Sequence, residues 1–195
     1  MKKFELTSEF ITNIFGTKLF RIKALIEFGN VKAGELGGFV EKEENLNHEG
    51  NAWVYGNAWV YGNARVCDDA RVYGNASVYG NARVCGDARV YGNARVCDDA
   101  RVYGNARVCG DARVCGDARV YGNADYATVH GFGSEYRTTT FFKTKAGEIG
   151  VRCGCFYGNL SEFRKKVVET HGETKKAKEY LMLADLMEFR FSDNS

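Results

Sequence analysis

The stretch from Asn63 to Gly74 reads NARVCDDARVYG, two six-residue words that recur with small changes as far as residue 122. Words of this kind start at Asn51 and follow one another twelve times with no inserted residue. Ala and Val are two positions apart in each word, so in an extended strand they point to one side while Arg and Tyr or Cys point to the other. The fixed period predicts a solenoid of short strands with small apolar residues inside.

The words are joined by Gly-Asn, Gly-Asp or Asp-Asp pairs, which tolerate positive φ and tight corners. Three words make one triangular coil, so residues 18 apart should stack in parallel strands roughly 4.8 Å apart. Each inward Val then contributes about 1.5–3 kcal/mol of burial. A helix is disfavoured because a six-residue period keeps no helical stripe in register and every word contains Gly or Asn.

The pattern resembles the hexapeptide-repeat, left-handed β-helix superfamily, in which an aliphatic residue is followed four positions later by a small one, as in Val66 with Ala70 and Val72 with Ala76. This resemblance implies the left hand of the coil and a homo-oligomer, with a homotrimer as the expected form. FGNVKAGELGGFVEKEENLNHEGNAWVYGNA resembles the opening of uncharacterised bacterial and prophage proteins labelled as transferases or polymer-forming cytoskeletal proteins. The likeness covers most of residues 20–122.

The sequence outside the repeat predicts an architecture that is mainly β with two attached ends. Residues 1–32 read as an N-terminal β meander that covers the open end of the coil, and residues 33–50 as a degenerate capping coil in which Leu46 takes the Ala position. The hexapeptide β-helix itself is predicted over 51–128. Residues 129–195 read as a C-terminal α/β appendage of ββαα type, with a hairpin followed by two helices that show apolar helical spacing.

Composition limits the classes of function. With 45% apolar residues the chain is not disordered, and 27 basic against 25 acidic residues leave a net charge of only +2, too small to pull the whole protein onto nucleic acid or an acidic membrane. No 18-residue apolar span occurs, and we expect a cytoplasmic protein. Seven cysteines without a secretion signal predict mostly reduced thiols, although Cys67 with Cys85 and Cys97 with Cys115 should stack within disulfide range.

Catalytic chemistry finds few candidates. Acyltransferases of the resembled superfamily place a His in a cleft between subunits, and the only histidines here are His48, His130 and His171. Of these, His48 is the candidate general base, but the repeats contain no inserted loop that could form a substrate-binding pocket beside it. The three-histidine zinc site of the related γ-class carbonic anhydrases is missing, so we predict no metal site and no cofactor. Cys153 and Cys155 are read as buried thiols.

The outward residues form ladders. Arg71, Arg89 and Arg107 should stack beside Tyr73 and Tyr91, and the plain interpretation is a solvated surface on which Arg lies over Tyr and corner Asp residues offset the charge. The functional interpretation is a recognition surface, since Arg and Tyr are common interface anchors. The interspersed Asp residues make nucleic acid an unlikely ligand.

The appendage offers a second and preferred partner-binding set, Arg137, Lys143 and Arg152. The first hypothesis is therefore a phage-encoded, non-enzymatic scaffold or binding protein that acts on a host factor through protein–protein interaction. The alternatives are an acyltransferase using His48 at a subunit interface and a phage sponge that sequesters a small nucleotide signal.

Overall fold

The repeat body forms a β-solenoid in the computed structural model, which describes residues 1–132 and 135–192. Each word supplies one two-residue strand at its Arg-Val position, and the Gly or Asp that follows makes the corner. The twelve strands are β4 Trp53–Val54, β5 Trp59–Val60, β6 Arg65–Val66, β7 Arg71–Val72, β8 Ser77–Val78, β9 Arg83–Val84, β10 Arg89–Val90, β11 Arg95–Val96, β12 Arg101–Val102, β13 Arg107–Val108, β14 Arg113–Val114 and β15 Arg119–Val120.

Strands 18 residues apart pair in parallel register, so that Val90 lies between Val72 and Val108. The result is three parallel sheets, which contain β4-β7-β10-β13, β5-β8-β11-β14 and β6-β9-β12-β15. We call their outer surfaces the first, second and third faces. The Ala and Val of every word are buried in one continuous core. The predicted solenoid with an apolar interior is confirmed, while the left hand of the coil stays a prediction.

The first coil is longer than the others. Val40 pairs with Val60 and Leu46 with Val66, a separation of 20 residues in place of 18. Leu46 therefore takes the Val position, and its predicted assignment to the Ala position is wrong, because two extra residues lie in the corner between Leu46 and Ala52. A short 3₁₀ helix, Glu43–Asn45, leads into this corner.

The N-terminal strands extend one solenoid sheet. They are β1 Phe4–Thr12, β2 Lys18–Ala24 and β3 Leu36–Val40. β1 and β2 pair antiparallel, β2 pairs antiparallel with β3, and β3 continues in parallel onto β5. The solenoid core includes Phe4 and Ile22 together with Trp53, whose ring meets Phe28 edge to face at 5.3 Å. The N-terminal region therefore closes this end, and Trp53 is buried where a partly or fully exposed arginine stands in later coils.

A separate α/β unit closes the other end. Its antiparallel sheet contains β16 Tyr126–Phe132, β17 Arg137–Lys143, β18 Ile149–Cys153 and β19 Phe156–Asn159, in that order, and α1 Leu160–His171 and α2 Lys175–Phe191 follow. The sheet has four strands, two more than the predicted hairpin, and it begins three residues before the predicted boundary. No helix in the described ranges has the length and apolar character needed to cross a bilayer.

Two adjacent phenylalanines join the unit to both cores. Phe142 points into the solenoid core, and Phe141 points into a second core formed with α1 and α2, because successive residues of a strand face opposite sides. Asn159 caps α1 by accepting a hydrogen bond from the Glu162 N–H at 2.9 Å, and Gly172 ends the helix with φ of 59°.

Candidate functional site

The first face carries the predicted arginine column. Arg89 pairs in register with Arg71 on one side and Arg107 on the other. The position between the buried Ala and Val of each word points outward, so the period alone places these side chains on one flat surface. Stacked like charges at this spacing repel by about 1 kcal/mol per pair in water. A column of this kind therefore favours anionic groups at its surface.

A tyrosine column runs beside the arginines. The rings of Tyr73 and Tyr91 are 4.9 Å apart with an interplanar angle of 1°. The side-chain hydrogen bond with Cys109 raises the pKa of Tyr91, and partial burial acts in the same direction. Tyr91 therefore stays neutral well above pH 7 and offers a rigid aromatic surface with a polar edge. The structure thus brings Arg71, Arg89, Arg107, Tyr73 and Tyr91 together, as predicted from the 18-residue stacking.

The arginines are not neutralised by contact. Among the described residues, seven of the nine solenoid guanidinium groups make no ion pair and no hydrogen bond, and only Arg113 and Arg119 donate to backbone carbonyls. No solenoid arginine in the described ranges lies over a tyrosine ring either; the cation–π contacts found there involve Lys3, Lys18 and Arg21. The expected packing of Arg over Tyr is therefore wrong, because the tyrosines stack on one another in the pairs Tyr61–Tyr79, Tyr73–Tyr91 and Tyr103–Tyr121.

The corner carboxylates have other partners. Asp69 accepts from the Asn51 side chain at 2.7 Å, and Asp99 and Asp111 accept from the amides of the asparagines one coil earlier at 3.0 Å. These residues form ladders along the corners, away from the middle of each face. The corner Asp residues balance the net charge of the protein but leave the arginine columns without direct partners.

The predicted appendage residues are only partly brought together. Arg137 and Arg152 line one open cavity of about 640 Å³ at the junction with the solenoid, together with Arg113 from β14. Glu135 lies 3.9 Å from Arg137, and Asp111 also lines the cavity. We call this cavity the junction groove.

Lys143 lies apart from the junction groove, at the opposite end of β17 from Arg137, and its ammonium is 3.6 Å from a carboxylate oxygen of Asp125. The three residues predicted as one set therefore lie at two separate sites. Arg113, which the sequence reasoning did not single out for this region, replaces Lys143 in the groove. Its guanidinium donates to the Gly154 carbonyl at 3.5 Å, a contact that only the fold reveals.

His48 anchors the N-terminus. Its Nδ1 accepts a hydrogen bond from the Lys3 N–H at 3.1 Å, and its Nε2 lies 3.6 Å from Glu43. The ring stacks on Phe4 with centroids 4.4 Å apart. In the neutral ring the proton is then on Nε2 and the lone pair of Nδ1 is already used. A general base needs a free lone pair, so this arrangement suits a structural clamp.

Four cysteines form two cross-coil disulfides. Cys67 is bonded to Cys85 and Cys97 to Cys115, each across 18 residues with Cα atoms 4.7 Å apart. The prediction of mostly reduced thiols is wrong for these four, because stacking brings the pairs into bonding range. The residues that remain as free thiols are Cys109, Cys153 and Cys155. Cys155 is exposed in the turn after β18, so the prediction of a buried pair at 153 and 155 also fails.

An aspartate stands beside each disulfide. Asp68 follows Cys67 and Asp98 follows Cys97, and in both clusters the two sulfurs and a carboxylate oxygen lie within 4.8 Å of one another. The sequence reasoning found both cysteine pairs but missed the aspartates. The signal was present as Cys-Asp-Asp, which replaces Cys-Gly-Asp at these two places.

Comparison with known families supports the repeat alone. The chain matches the family model described as YdcK Beta solenoid repeat in overlapping segments, at residues 64–80, 76–92, 82–98, 94–110, 100–116 and 112–124. No curated protein shows significant similarity to the chain. The match and the fold together establish a β-solenoid repeat protein, and neither brings an activity with it.

Proposed function

We propose that the protein is a non-enzymatic binding scaffold whose first face recognises an acidic surface of a partner protein. The observation that carries this proposal is the column of Arg71, Arg89 and Arg107 beside stacked tyrosine rings. The guanidinium groups of this column, like three of those on the third face, have no partner among the described residues, so the tyrosines are what distinguish the first face. Tyr73 and Tyr91 supply rigid contact area. Arginine and tyrosine are the residue types most enriched among interface anchors, together with tryptophan.

The rigidity of the solenoid supports this role. The backbone beneath the column is bonded from coil to coil, as in Tyr73 N–H to the Val90 carbonyl at 3.0 Å. A surface held in this way loses little conformational entropy when a partner binds. A partner with carboxylates would also relieve the repulsion along the column, so binding should weaken as salt is added.

The junction groove is proposed as a second part of the partner site. Its Arg113, Arg137 and Arg152 come from two regions of the chain and line a concave surface, whereas the first face is flat and periodic. The Arg152 Nε is buried and makes no hydrogen bond among the described residues. The groove can therefore add specificity to an interaction that the first face makes strong.

The finer parts of the proposal come from the family resemblance. This proposal includes a phage origin, a host protein as the target and a homo-oligomeric state, with a trimer as the expected form. Light scattering of the purified protein tests the oligomeric state directly. The acyltransferase alternative gains no observation here, since His48 is engaged at both ring nitrogens. The nucleotide-sponge alternative rests on the same arginine column, and binding of a small nucleotide more tightly than poly-L-glutamate would favour it.

Three variants test the proposal with labelled poly-L-glutamate as an acidic polypeptide probe and a DNA duplex as a comparison. The first replaces Arg71, Arg89 and Arg107 with Gln, the second replaces Arg137 and Arg152, and the matched control replaces Arg65, Arg83 and Arg101 on the third face. Each charged hydrogen bond contributes roughly 1.5–3 kcal/mol. Fluorescence anisotropy at low salt should therefore show a loss of affinity of more than tenfold, about 1.4 kcal/mol, in the first variant.

The junction variant should lose less affinity than the first, and the third-face control should stay within about threefold of the unsubstituted protein, a difference below 1 kcal/mol. Equal losses in the first variant and the control would overturn the assignment to the first face. Binding of duplex DNA more tightly than poly-L-glutamate would contradict the partner class. No binding of poly-L-glutamate at all would overturn the proposal itself.

A further inference from the structure

Two copies of one side-chain cluster lie on different faces of the solenoid. The first contains Cys67, Cys85 and Asp68, and its ligand atoms all lie within 4.8 Å of one another. The second contains Cys97, Cys115 and Asp98, in the same arrangement. In both, the aspartate directly follows the first cysteine and the second cysteine stands one coil later. The cluster is thus a repeated unit.

The backbone of the aspartates is unusual. Asp68 and Asp98 both have φ of 59°, and they are the only solenoid residues other than glycine with a positive φ. Glycine with a positive φ occupies the position that stacks on Asp68 in the next two coils, Gly86 and Gly104. A non-glycine residue in this conformation costs roughly 1 kcal/mol. The aspartates are therefore placed against the local backbone preference, at the two corners beside paired cysteines.

One side-chain contact accounts for part of this placement. An Asp68 carboxylate oxygen accepts from the Gly86 N–H at 2.9 Å, and Asp98 does the same with Gly116 at 3.0 Å. The same oxygens lie 3.8 Å from the Cys67 Sγ and 3.5 Å from the Cys97 Sγ. A disulfide sulfur carries no proton and donates nothing to a carboxylate. The sulfur–carboxylate contact becomes favourable only when the cysteines are reduced.

We propose that each reduced cluster binds one Zn²⁺ ion through its two thiolates and its carboxylate, with water as the fourth ligand. Zinc is bound tetrahedrally by thiolates and carboxylates, and three protein ligands leave the fourth position to water; Zn–S distances of about 2.3 Å place the two sulfurs about 3.8 Å apart. The paired cysteines have Cα atoms 4.7 Å apart on adjacent parallel strands. Small side-chain rotations therefore suffice to bring the sulfurs to the separation that zinc requires.

Zinc can bind a cluster only after its disulfide has been reduced. A small-molecule or protein dithiol reduces the disulfide, which takes up two electrons and two protons to give two thiols while the dithiol becomes a disulfide. Zn²⁺ then displaces both thiol protons to solvent as the thiolates bind it. The Cys67–Cys85 cluster lines an open cavity of about 520 Å³, which admits both the reductant and the ion. Either the disulfide or the metal ties the two coils together.

The test uses Co²⁺ as a spectroscopic substitute for Zn²⁺. The whole protein is reduced with a phosphine, freed of reductant without oxygen and titrated with Co²⁺, then with Zn²⁺. We expect a thiolate-to-cobalt charge-transfer band that saturates at two ions per chain and disappears when zinc displaces cobalt. The oxidised protein should bind neither ion. Absence of the band, or loss of the β-sheet circular dichroism on reduction, would overturn the proposal.

Matched variants separate the cluster from non-specific thiol binding. Asp68→Gly and Asp98→Gly restore the corner residue used elsewhere in the solenoid, so the fold is preserved. Each should weaken binding at its own cluster by more than about tenfold, since the loss of even an outer-shell partner costs 10–100-fold. Cys109→Ser should change nothing, because Cys109 stacks beside Tyr91 with no second cysteine. Unchanged affinity in both Asp variants, or a loss of sites in Cys109→Ser, would contradict the assigned ligands.

Discussion

The two ends of the solenoid are closed in different ways. At the N-terminal end, β1 to β3 continue a solenoid sheet, and polar side chains meet the backbone groups of the first coils. Lys3 donates to the Ala52 carbonyl at 3.0 Å, and Asn45 donates to the Ala64 carbonyl at 2.8 Å. At the C-terminal end a separate sheet meets the last coil and inserts Phe142 into the core. Both ends therefore bury apolar side chains in the solenoid core, but only the N-terminal end adds the buried polar side chains Lys3 and Asn45, which donate to carbonyls of the first coils.

This difference determines how each end should unfold. The N-terminal strands share the core of the solenoid, so they should open together with the first coils. The C-terminal unit has a second core of its own, which contains Phe141, Phe163 and Leu183. Repeat proteins unfold in units set by such interfaces. The C-terminal unit can therefore open without the solenoid, whereas the N-terminal region cannot.

The largest expected effect comes from substitution of the two phenylalanines that point to opposite sides of β17. Phe141→Ala and Phe142→Ala each remove a fully buried ring and should lower the free energy of unfolding by about 3–5 kcal/mol. Phe142→Ala should raise hydrogen exchange in β13 to β15, and Phe141→Ala should raise it in α1 and α2. Exchange measured by mass spectrometry checks both. The same exchange pattern in the two variants would show that the two cores form one cooperative unit.

A smaller effect is expected at the N-terminal end. Asn45 is fully buried, and Asn45→Ala would leave the carbonyls of Gly62 and Ala64 without this donor. Each buried unpaired group costs roughly 1–3 kcal/mol, so the urea midpoint should fall clearly. Asn105→Ala is the control, because Asn105 is exposed and its side chain makes no hydrogen bond among the described residues. Equal midpoints for the two variants would mean that the first coil needs no polar closure.

The smallest effect is a pH dependence at the same end. Burial lowers the pKa of Lys3 to about 8, from an ordinary value of 10.5, and Asp69 opposes this shift in part. Between these two pH values the unfolded chain binds more protons than the folded one, so the stability of the protein should rise with pH. The slope cannot exceed that of one proton, about 1.4 kcal/mol per pH unit.

Urea unfolding between pH 8 and 9.5 measures this slope. Lys3→Met should flatten it, whereas Lys2→Met at the exposed neighbouring position should leave it unchanged. Tyrosine ionisation opposes this slope as the pH approaches about 10, the ordinary tyrosine value, because burial raises the pKa of Tyr180 to about 12 and also raises that of Tyr126 in the folded protein. The lower half of the range therefore reports on Lys3 most directly. An equal slope in Lys3→Met and the unsubstituted protein would rule out Lys3 as its origin.

Much of the solenoid could be predicted because position in the period fixes the surroundings of a residue. Val90, Arg89 and Tyr91 needed only the alternation of a strand and the 18-residue stack. The position of Leu46 in the first coil was predicted wrongly, since two extra residues shift it from the inward Ala position to the inward Val position. β16 and β19 escaped it too, because their sheet is assembled by tertiary packing and their sequences carry weak strand patterns.

The candidate sites were predicted less completely than the fold. The Arg and Tyr columns follow from the period, but whether each Arg has a partner depends on where the carboxylates lie, and those are tied to corner amides. The junction groove joins Arg113 to Arg137 across the contact between two units, which no local pattern encodes. The Cys-Asp-Cys clusters needed both the stacking and the conformation of the corner residue.

Because the repeats are nearly identical and uninterrupted, the length of the solenoid can change while the contacts at its two ends stay the same. Duplication of one whole coil would lengthen the rod by about one strand spacing, roughly 4.8 Å, and leave both end units in unchanged contacts. Duplication of a single word would also rotate the C-terminal unit by a third of a turn about the long axis, onto a different face. Small tandem duplications in the gene could therefore rotate one end of the protein relative to the other without any new packing contacts.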